Sequence, residues 1–235
     1  MISFLIPVYN EETLLENTVS TVSEYAERCG LDYEIIVVDN GSTDATLPIG
    51  EDLAAKHDFF RIFHLDERSV GKAFVLGVES ANGEIVISLD ADLSSDLTFI
   101  DYVSELDLHF DMLVGSKTMG NQRRTVTRIV GSFLYIFFTQ VVFDMSISDF
   151  SLGAKAYRRE AILEALPHLD DWTGYVFELC LFLNLRAKRV IQVGINCEDT
   201  RKSRFNLLHE GLYRYAHLYR CWRRVRDKQS WFHTA

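Results

Sequence analysis

Ile85-Val86-Ile87-Ser88-Leu89-Asp90-Ala91-Asp92 decides how this chain reads. Four of its first five residues are apolar, the pattern of a central strand covered on both faces. Asp90 and Asp92 follow at the strand's C-terminal end, separated by one small residue. In open α/β sheets, ligands bind in the crevice outside the carboxyl ends of the strands. Carboxylates there are costly unless a cation or a donor satisfies them. The pair therefore points to Mg²⁺ or Mn²⁺ held against a phosphate-bearing ligand. A solvated strand-to-loop exit, where Asp is common, is the other reading the stretch allows.

Working outward from it, Ile2 to Asn10 begins as a short apolar strand and ends in a Pro-containing loop. Glu11 to Cys29 carries apolar residues at helical spacing, with Asn10 as its expected N-cap and Gly30 as its stop. Glu34 to Val38 is a second strand, ending in the turn Asp39-Asn40-Gly41-Ser42-Thr43-Asp44. Arg61 to Leu65 and Gly71 to Ser80 supply a third strand and helix. A helix from about Asp96 to Phe110 and a strand Met112 to Ser116 follow the central strand. Repeated strand-helix units with polar loops at the strand C-ends predict a mainly parallel, doubly wound sheet in one compact α/β domain. Later come a strand near Leu152 to Tyr157, a stretch Trp172 to Glu178 that leads into a helix running to about Lys188, a strand Val190 to Asn196 and an amphipathic tail Leu207 to Arg226.

The net charge of −10 is unevenly spread. Residues 1–116 carry 5 Lys/Arg against 23 Asp/Glu, and residues 186–235 carry 12 against 4. The acidic part suits a metal-binding half and argues against nucleic acid. The basic part faces phosphates or an anionic membrane surface, unless it is simply a solvated helix face. The four cysteines fit no zinc or redox spacing and read as reduced thiols. Ile129 to Phe143 is uncharged and contains four Phe. It is too short to span a bilayer, which takes about 20 residues, and reads as a core helix or an interfacial one. Neither an N-terminal signal nor an apolar anchor is visible, so any membrane contact is expected to be peripheral.

Pro7-Val8-Tyr9-Asn10-Glu11-Glu12, Val37-Val38-Asp39-Asn40-Gly41-Ser42-Thr43-Asp44, Gly71-Lys72 and Asp90-Ala91-Asp92, in this order and spacing, resemble a family 2 glycosyltransferase of the GT-A fold. Gly115-Ser116-Lys117, Arg128 with Ser132, Asp149 to Gly153 and Arg201 to Arg204 bring the resemblance closer to the dolichol-phosphate mannose synthase and polyprenol-phosphate glycosyltransferase branch. Ser94 and Lys117 stand where that branch usually carries Gln and Arg. The resemblance covers about residues 1–205. It implies a Rossmann-like GT-A domain over 1–205, with a basic amphipathic helix, 206–235, packed on or beside it.

The same resemblance implies roles. Pro7, Tyr9 and Glu11 would border the base and ribose of a nucleotide-sugar donor. Asp39 would accept from the base, with Val37 beside it, and Lys72 would contact the donor or merely cap its helix. Asp90, Ala91 and Asp92 would hold the donor, with Asp90 and Asp92 binding its Mg²⁺ or Mn²⁺. Lys117, Arg201 and Arg204 would meet phosphates, and Arg128 and Ser132 a lipid phosphate. The expected reaction inverts the sugar and takes it from GDP-mannose or a UDP-sugar to a polyprenyl or dolichyl phosphate at the cytoplasmic membrane face, with a separate membrane-anchoring subunit as a possible partner. Two rivals stay open. One is transfer to a hydroxyl of a glycan or lipid-linked saccharide, for which Asp149 is the candidate base. The other is a non-catalytic sugar-nucleotide-binding subunit. No G-x-G-x-x-G follows the first strand, which argues against a dinucleotide oxidoreductase.

Overall fold

The computed structural model describes residues 1–106, 109–120, 126–197 and 207–227. Seven strands form one sheet: β1 (Ile2–Val8), β2 (Tyr33–Asn40), β3 (Phe60–Leu65), β4 (Ile85–Ser88), β5 (Met112–Ser116), β6 (Lys155–Arg158) and β7 (Val190–Gly194). Their order is β3-β2-β1-β4-β6-β5-β7. Only β6 runs against its neighbours, β4 and β5. The sheet is thus mainly parallel, as expected, with one antiparallel strand.

Alternation within the strands builds two core layers. Leu5, Ile36, Val38 and Val86 point to one face, where they meet α3 (Val70–Ser80) and α7 (Tyr175–Leu185). Phe4, Ile6, Ile35, Val37, Ile85 and Ile87 point to the other, against α1 (Leu15–Arg28) and α4 (Phe99–Glu105). Both layers are apolar, which is why β2 and β4 read as unbroken apolar runs. α2 (Thr46–Lys56) packs beside α1 and β3. A single turn, α6 (Arg159–Ile162), follows β6. α5 (Val126–Phe143) and α8 (Leu207–Arg226) contact each other outside the α7 layer.

Two bounds differ from expectation. α4 is shorter than Asp96–Phe110 because the Asp96 carboxylate accepts the Thr98 amide at 3.0 Å and makes a turn of the entry. β6 begins only at Lys155, since the amides of Leu152 and Gly153 are taken by the carboxylates of Asp149 and Asp90. Asn10 does not cap α1. It adopts φ +55°, and its carboxamide oxygen accepts the Thr43 amide at 2.8 Å, tying the β1 exit to the β2 exit.

Glu34 clamps the opposite end of the sheet. Its carboxylate accepts from Ser3 Oγ (2.6 Å), Arg61 (2.6 Å) and the Asn82 amide (2.6 Å). Burial alone would raise its pKa, but these hydrogen bonds outweigh it and hold the carboxyl below its ordinary value. A depressed carboxylate stabilises the fold above its unfolded pKa, about 4.3, and that contribution is lost as pH falls through the folded value. Glu34→Gln is therefore expected to cost about 1–3 kcal/mol at pH 7. Urea melts should show the gap to wild type narrowing at acid pH.

Candidate active site

The acidic pair sits where β4 ends, in a loop held from three sides. Asp90 Oδ2 accepts the Gly153 amide at 2.9 Å, across from the start of β6. Asp92 Oδ1 accepts the Ser94 amide at 3.1 Å. The Ala91 carbonyl accepts from Thr18 Oγ1 on α1 at 2.6 Å. Between the two anchor points Leu93 takes φ +47°, with its amide on the Asp90 carbonyl at 3.0 Å. A non-glycine residue in the left-handed region costs about 1 kcal/mol or more and persists where the surroundings impose it. Burial, and then the like charge of Asp92, push the Asp90 carboxyl above its ordinary value.

Asp149 lies on the loop that precedes β6. It is 2% exposed. Its Oδ1 accepts the amides of Ser151 (2.9 Å) and Leu152 (3.2 Å) and the Ser151 hydroxyl (3.1 Å), and its Oδ2 accepts the Lys117 amide (3.3 Å). Burial would raise its pKa, but Lys117 and Lys155 outweigh burial and hold it below the usual carboxylate range. Lys117 Nζ lies 3.7 Å from Asp149 Oδ2 and donates to Ser151 Oγ at 2.7 Å. Lys155, wholly buried at the head of β6, donates to the Leu152 carbonyl. Burial lowers its pKa, against the pull of Asp149 and Asp90. The sequence reading gives Lys155 no role, yet the fold sets it beside both acids.

A second wall forms at the exits of β1, β2 and β3. Asp39, fully buried at the end of β2, accepts the Ser42 amide at 3.2 Å and pairs with His64 Nδ1 on β3 at 2.7 Å. Gly41, at φ +74°, turns this loop under the backbone of Glu67. Arg68 lies with its guanidinium 4.1 Å from the centre of the Tyr9 ring and 5.7 Å from that of Trp172. Aromatic and guanidinium planes in this arrangement suit a flat ring ligand. Pro7 is paired within β1 to Val38, and the Glu11 amide donates to Thr46 Oγ1 at 2.8 Å, so both fix this wall. Val37 is wholly enclosed in the α1 layer and packs beneath the wall rather than on its open side. Lys72 is exposed and bonded to Glu67, with Asp171 at 3.8 Å. The α3 cap is Ser69, whose hydroxyl accepts the Lys72 amide.

Ser132 is half-buried on α5, nearly two turns from the helix start. Arg201 and Arg204 lie outside the described residues, as does the side chain of Arg128. α5 buries Tyr135, Thr139 and Phe143 and turns Phe133, Leu134, Phe137, Phe138, Val141 and Val142 to solvent. α8 extends that apolar face with Leu212, Tyr215, Tyr219 and Trp222. Phe138 and Tyr215 meet edge-to-face with ring centroids 6.0 Å apart. A contiguous exposed apolar face of this kind marks an interaction surface.

The donor set fits a hard divalent cation. Asp90, Asp92 and Asp149 against Lys117 and Lys155 leave one negative charge unmatched. Carboxylate oxygens of this kind suit Mg²⁺ or Mn²⁺.

Comparison with known proteins agrees with this geometry. The model of glycosyl transferase family 2 matches residues 3–166. An undecaprenyl-phosphate 4-deoxy-4-formamido-L-arabinose transferase of Aeromonas hydrophila is 27% identical over 217 residues, covering 89% of this chain and 64% of that protein. Its namesake from Pseudomonas fluorescens is 34% identical over 164 residues, 68% of this chain and 48% of its own. Glycosyltransferase AglD of Haloferax volcanii is 27% identical over 230 residues, 94% and 37%. The chain thus spans less than two thirds of the length of the curated relatives it matches. Among solved structures, glucosyl-3-phosphoglycerate synthase from Mycobacterium tuberculosis in complex with UDP superposes with a TM-score of 0.68 at 22% identity, covering 94% of this chain and 80% of that one. Mannosyltransferase PcManGT from Pyrobaculum calidifontis, in complex with GDP-Man and Mn²⁺, gives 0.62 at 21%, covering 94% and 64%. These likenesses show the shared GT-A fold.

Proposed function

We propose that this chain, which belongs to glycosyl transferase family 2, moves a sugar from a nucleoside-diphosphate sugar to a polyprenyl phosphate at a membrane surface. The observation that carries the reading is the joining of a charged site to an apolar face. α5 ends at Phe143, and six residues later the same chain delivers Asp149 to the site. An acceptor with a lipid tail and an anionic head needs both surfaces at once. The names of the curated relatives point the same way.

In this reading the Tyr9, Arg68 and Trp172 planes and the Asp39 carboxylate receive the base and ribose. Asp90 and Asp92 would hold the donor's divalent cation, which when bound supplies positive charge to the departing diphosphate. The acceptor phosphate oxygen attacks the anomeric carbon from the face opposite the diphosphate. One carbon–oxygen bond forms, the other breaks, and its electron pair leaves on the β-phosphate oxygen, so the configuration inverts. The acceptor is already ionised at neutral pH, so no proton has to move. Lys117 offsets its charge at the site, and positioning does the rest.

Asp149 separates this reading from transfer to a hydroxyl. A depressed, four-fold hydrogen-bonded carboxylate is a poor proton acceptor and a good loop anchor. Asp149→Asn is expected to cost about 3 kcal/mol of stability, because it leaves two buried lysines short of a partner. The folded fraction should nonetheless keep transfer within about tenfold of wild type, whereas loss of a general base would cost about 10²–10⁴-fold. Thermal melts and initial rates on the same sample decide it.

The outward face of α5 and α8 is assigned to the bilayer interface. Its aromatic residues alternate with Arg214, Arg220 and Arg223, the composition of an interfacial helix over anionic lipid. Placing two negative charges on this face with Phe137→Glu and Phe138→Glu should abolish flotation with vesicles containing anionic phospholipid. Nucleotide binding measured by calorimetry should stay unchanged.

A further inference from the structure

A separate constellation lies between α7 and α8, on groups the reaction above does not use. Glu178 is buried on α7, and His217 and Cys221 are buried one helical turn apart on α8. Glu178 Oε1 lies 3.1 Å from His217 Nε2 and 3.7 Å from Cys221 Sγ, and Cys221 Sγ lies 3.7 Å from His217 Nε2. Around a tetrahedral Zn²⁺, with bonds of about 2.0–2.3 Å, neighbouring donor atoms stand about 3.3–3.6 Å apart. The three atoms thus already stand close to the separations of donors around one such ion.

We infer that Glu178, His217 and Cys221 form a binding site for a borderline-soft divalent transition metal of the Zn²⁺ class, cross-linking α8 to the core. The nitrogen, sulfur and oxygen donor set selects such an ion over the hard cations suited to Asp90 and Asp92. Histidine and cysteine four residues apart on a helix face the same way. Gly174 permits the approach: a Cβ there would lie 2.7 Å from His217 Nε2. A pocket of about 70 Å³, lined by His168, Asp170 and Arg220 among others, opens the fourth position, with Asp170 Oδ1 3.9 Å from His217 Nε2. Glu178 is held for the role, since its other oxygen accepts the Asp170 amide at 2.5 Å. Arg224 donates to Glu178 Oε1 at 3.2 Å from a 40%-exposed side chain and remains as an outer partner, as carboxylate ligands commonly have. Glu178, Asp170 and a Cys221 thiolate against Arg220 and Arg224 leave one negative charge for the cation to meet.

The test is a Co²⁺ titration of the metal-stripped full chain, read by absorption, followed by competition with Zn²⁺. One equivalent of Co²⁺ should produce the intense visible bands of a tetrahedral ion and a thiolate charge-transfer band, both removed by Zn²⁺ and untouched by Mg²⁺. The signal should survive in Asp92→Ala, which separates this site from the acidic pair, and in Cys29→Ser, which removes the exposed cysteine. Cys221→Ser should lose the charge-transfer band, and Zn²⁺ should raise the melting temperature of wild type but not of this variant. Absence of a thiolate band in wild type overturns the proposal without recourse to any variant. So does a band that persists unchanged in Cys221→Ser.

Discussion

Asp92→Ala is expected to lower sugar transfer by on the order of 10³-fold, about 4 kcal/mol of transition-state stabilisation, while leaving the fold intact. The carboxylate stands past the end of β4, in a loop anchored by Thr18, Gly153 and its own Ser94 amide. The anchors from Thr18 and Gly153 do not depend on this side chain and should keep the loop in place. The loss should fall on turnover and on cation-dependent donor binding together. In calorimetry, Mn²⁺ should strengthen nucleoside-diphosphate binding to wild type and have no such effect on Asp92→Ala. A variant that keeps more than a tenth of the wild-type rate would remove the acidic pair from the reaction.

Gly153→Ala should be nearly as damaging, for a different reason. A Cβ at this position would lie 2.5 Å from Asp90 Oδ2, inside any allowed contact. Gly153 does not occupy the left-handed region, so the backbone accepts Ala and the whole penalty is one of space. Either Asp90 rotates away or the loop before β6 retreats, and both lose the 2.9 Å bond from the Gly153 amide. Displacing a catalytic group by about 1 Å costs about 10²-fold in rate, and forcing bulk into a packed site costs about 1–3 kcal/mol. The rate of Gly153→Ala should fall by that factor with a lowered melting temperature. Gly131→Ala, inside α5 and with nothing within 4 Å of the added carbon, should leave the rate unchanged and the melting temperature no lower.

How far the sequence foretold these features follows from where their signals reside. β1, β2 and β4 are legible because burial on both faces writes a continuous apolar run into the chain. The acidic pair is legible because its two carboxylates are adjacent to the strand that positions them. The strand Met112–Ser116 and the helix Leu207–Arg226 fall where periodicity puts them. The direction of β6 is not legible, since antiparallel pairing is decided by the route of the chain after α5. Partners distant in sequence are also hidden. His64 carries no motif, and only the β2–β3 register brings it to Asp39. Arg68 and Lys155 read as ordinary cations until the fold sets one between Tyr9 and Trp172 and the other between two acids. Glu178, His217 and Cys221 come from helices that share no local pattern. Asp149 shows the converse: its residue type suggests a base for a hydroxyl acceptor, and the four hydrogen bonds it accepts become visible only in the fold.

The most direct measurement of the central claim is transfer of label from sugar nucleotides into organic solvent. The full chain, Mn²⁺ or Mg²⁺ and a panel of radiolabelled UDP- and GDP-sugars are mixed with a short polyprenyl phosphate, and the partitioned label is counted. Label should enter the organic phase from one donor and be abolished by EDTA and in Asp92→Ala. Donor binding without any label in the organic phase, or label appearing only on a hydroxyl acceptor, would contradict it.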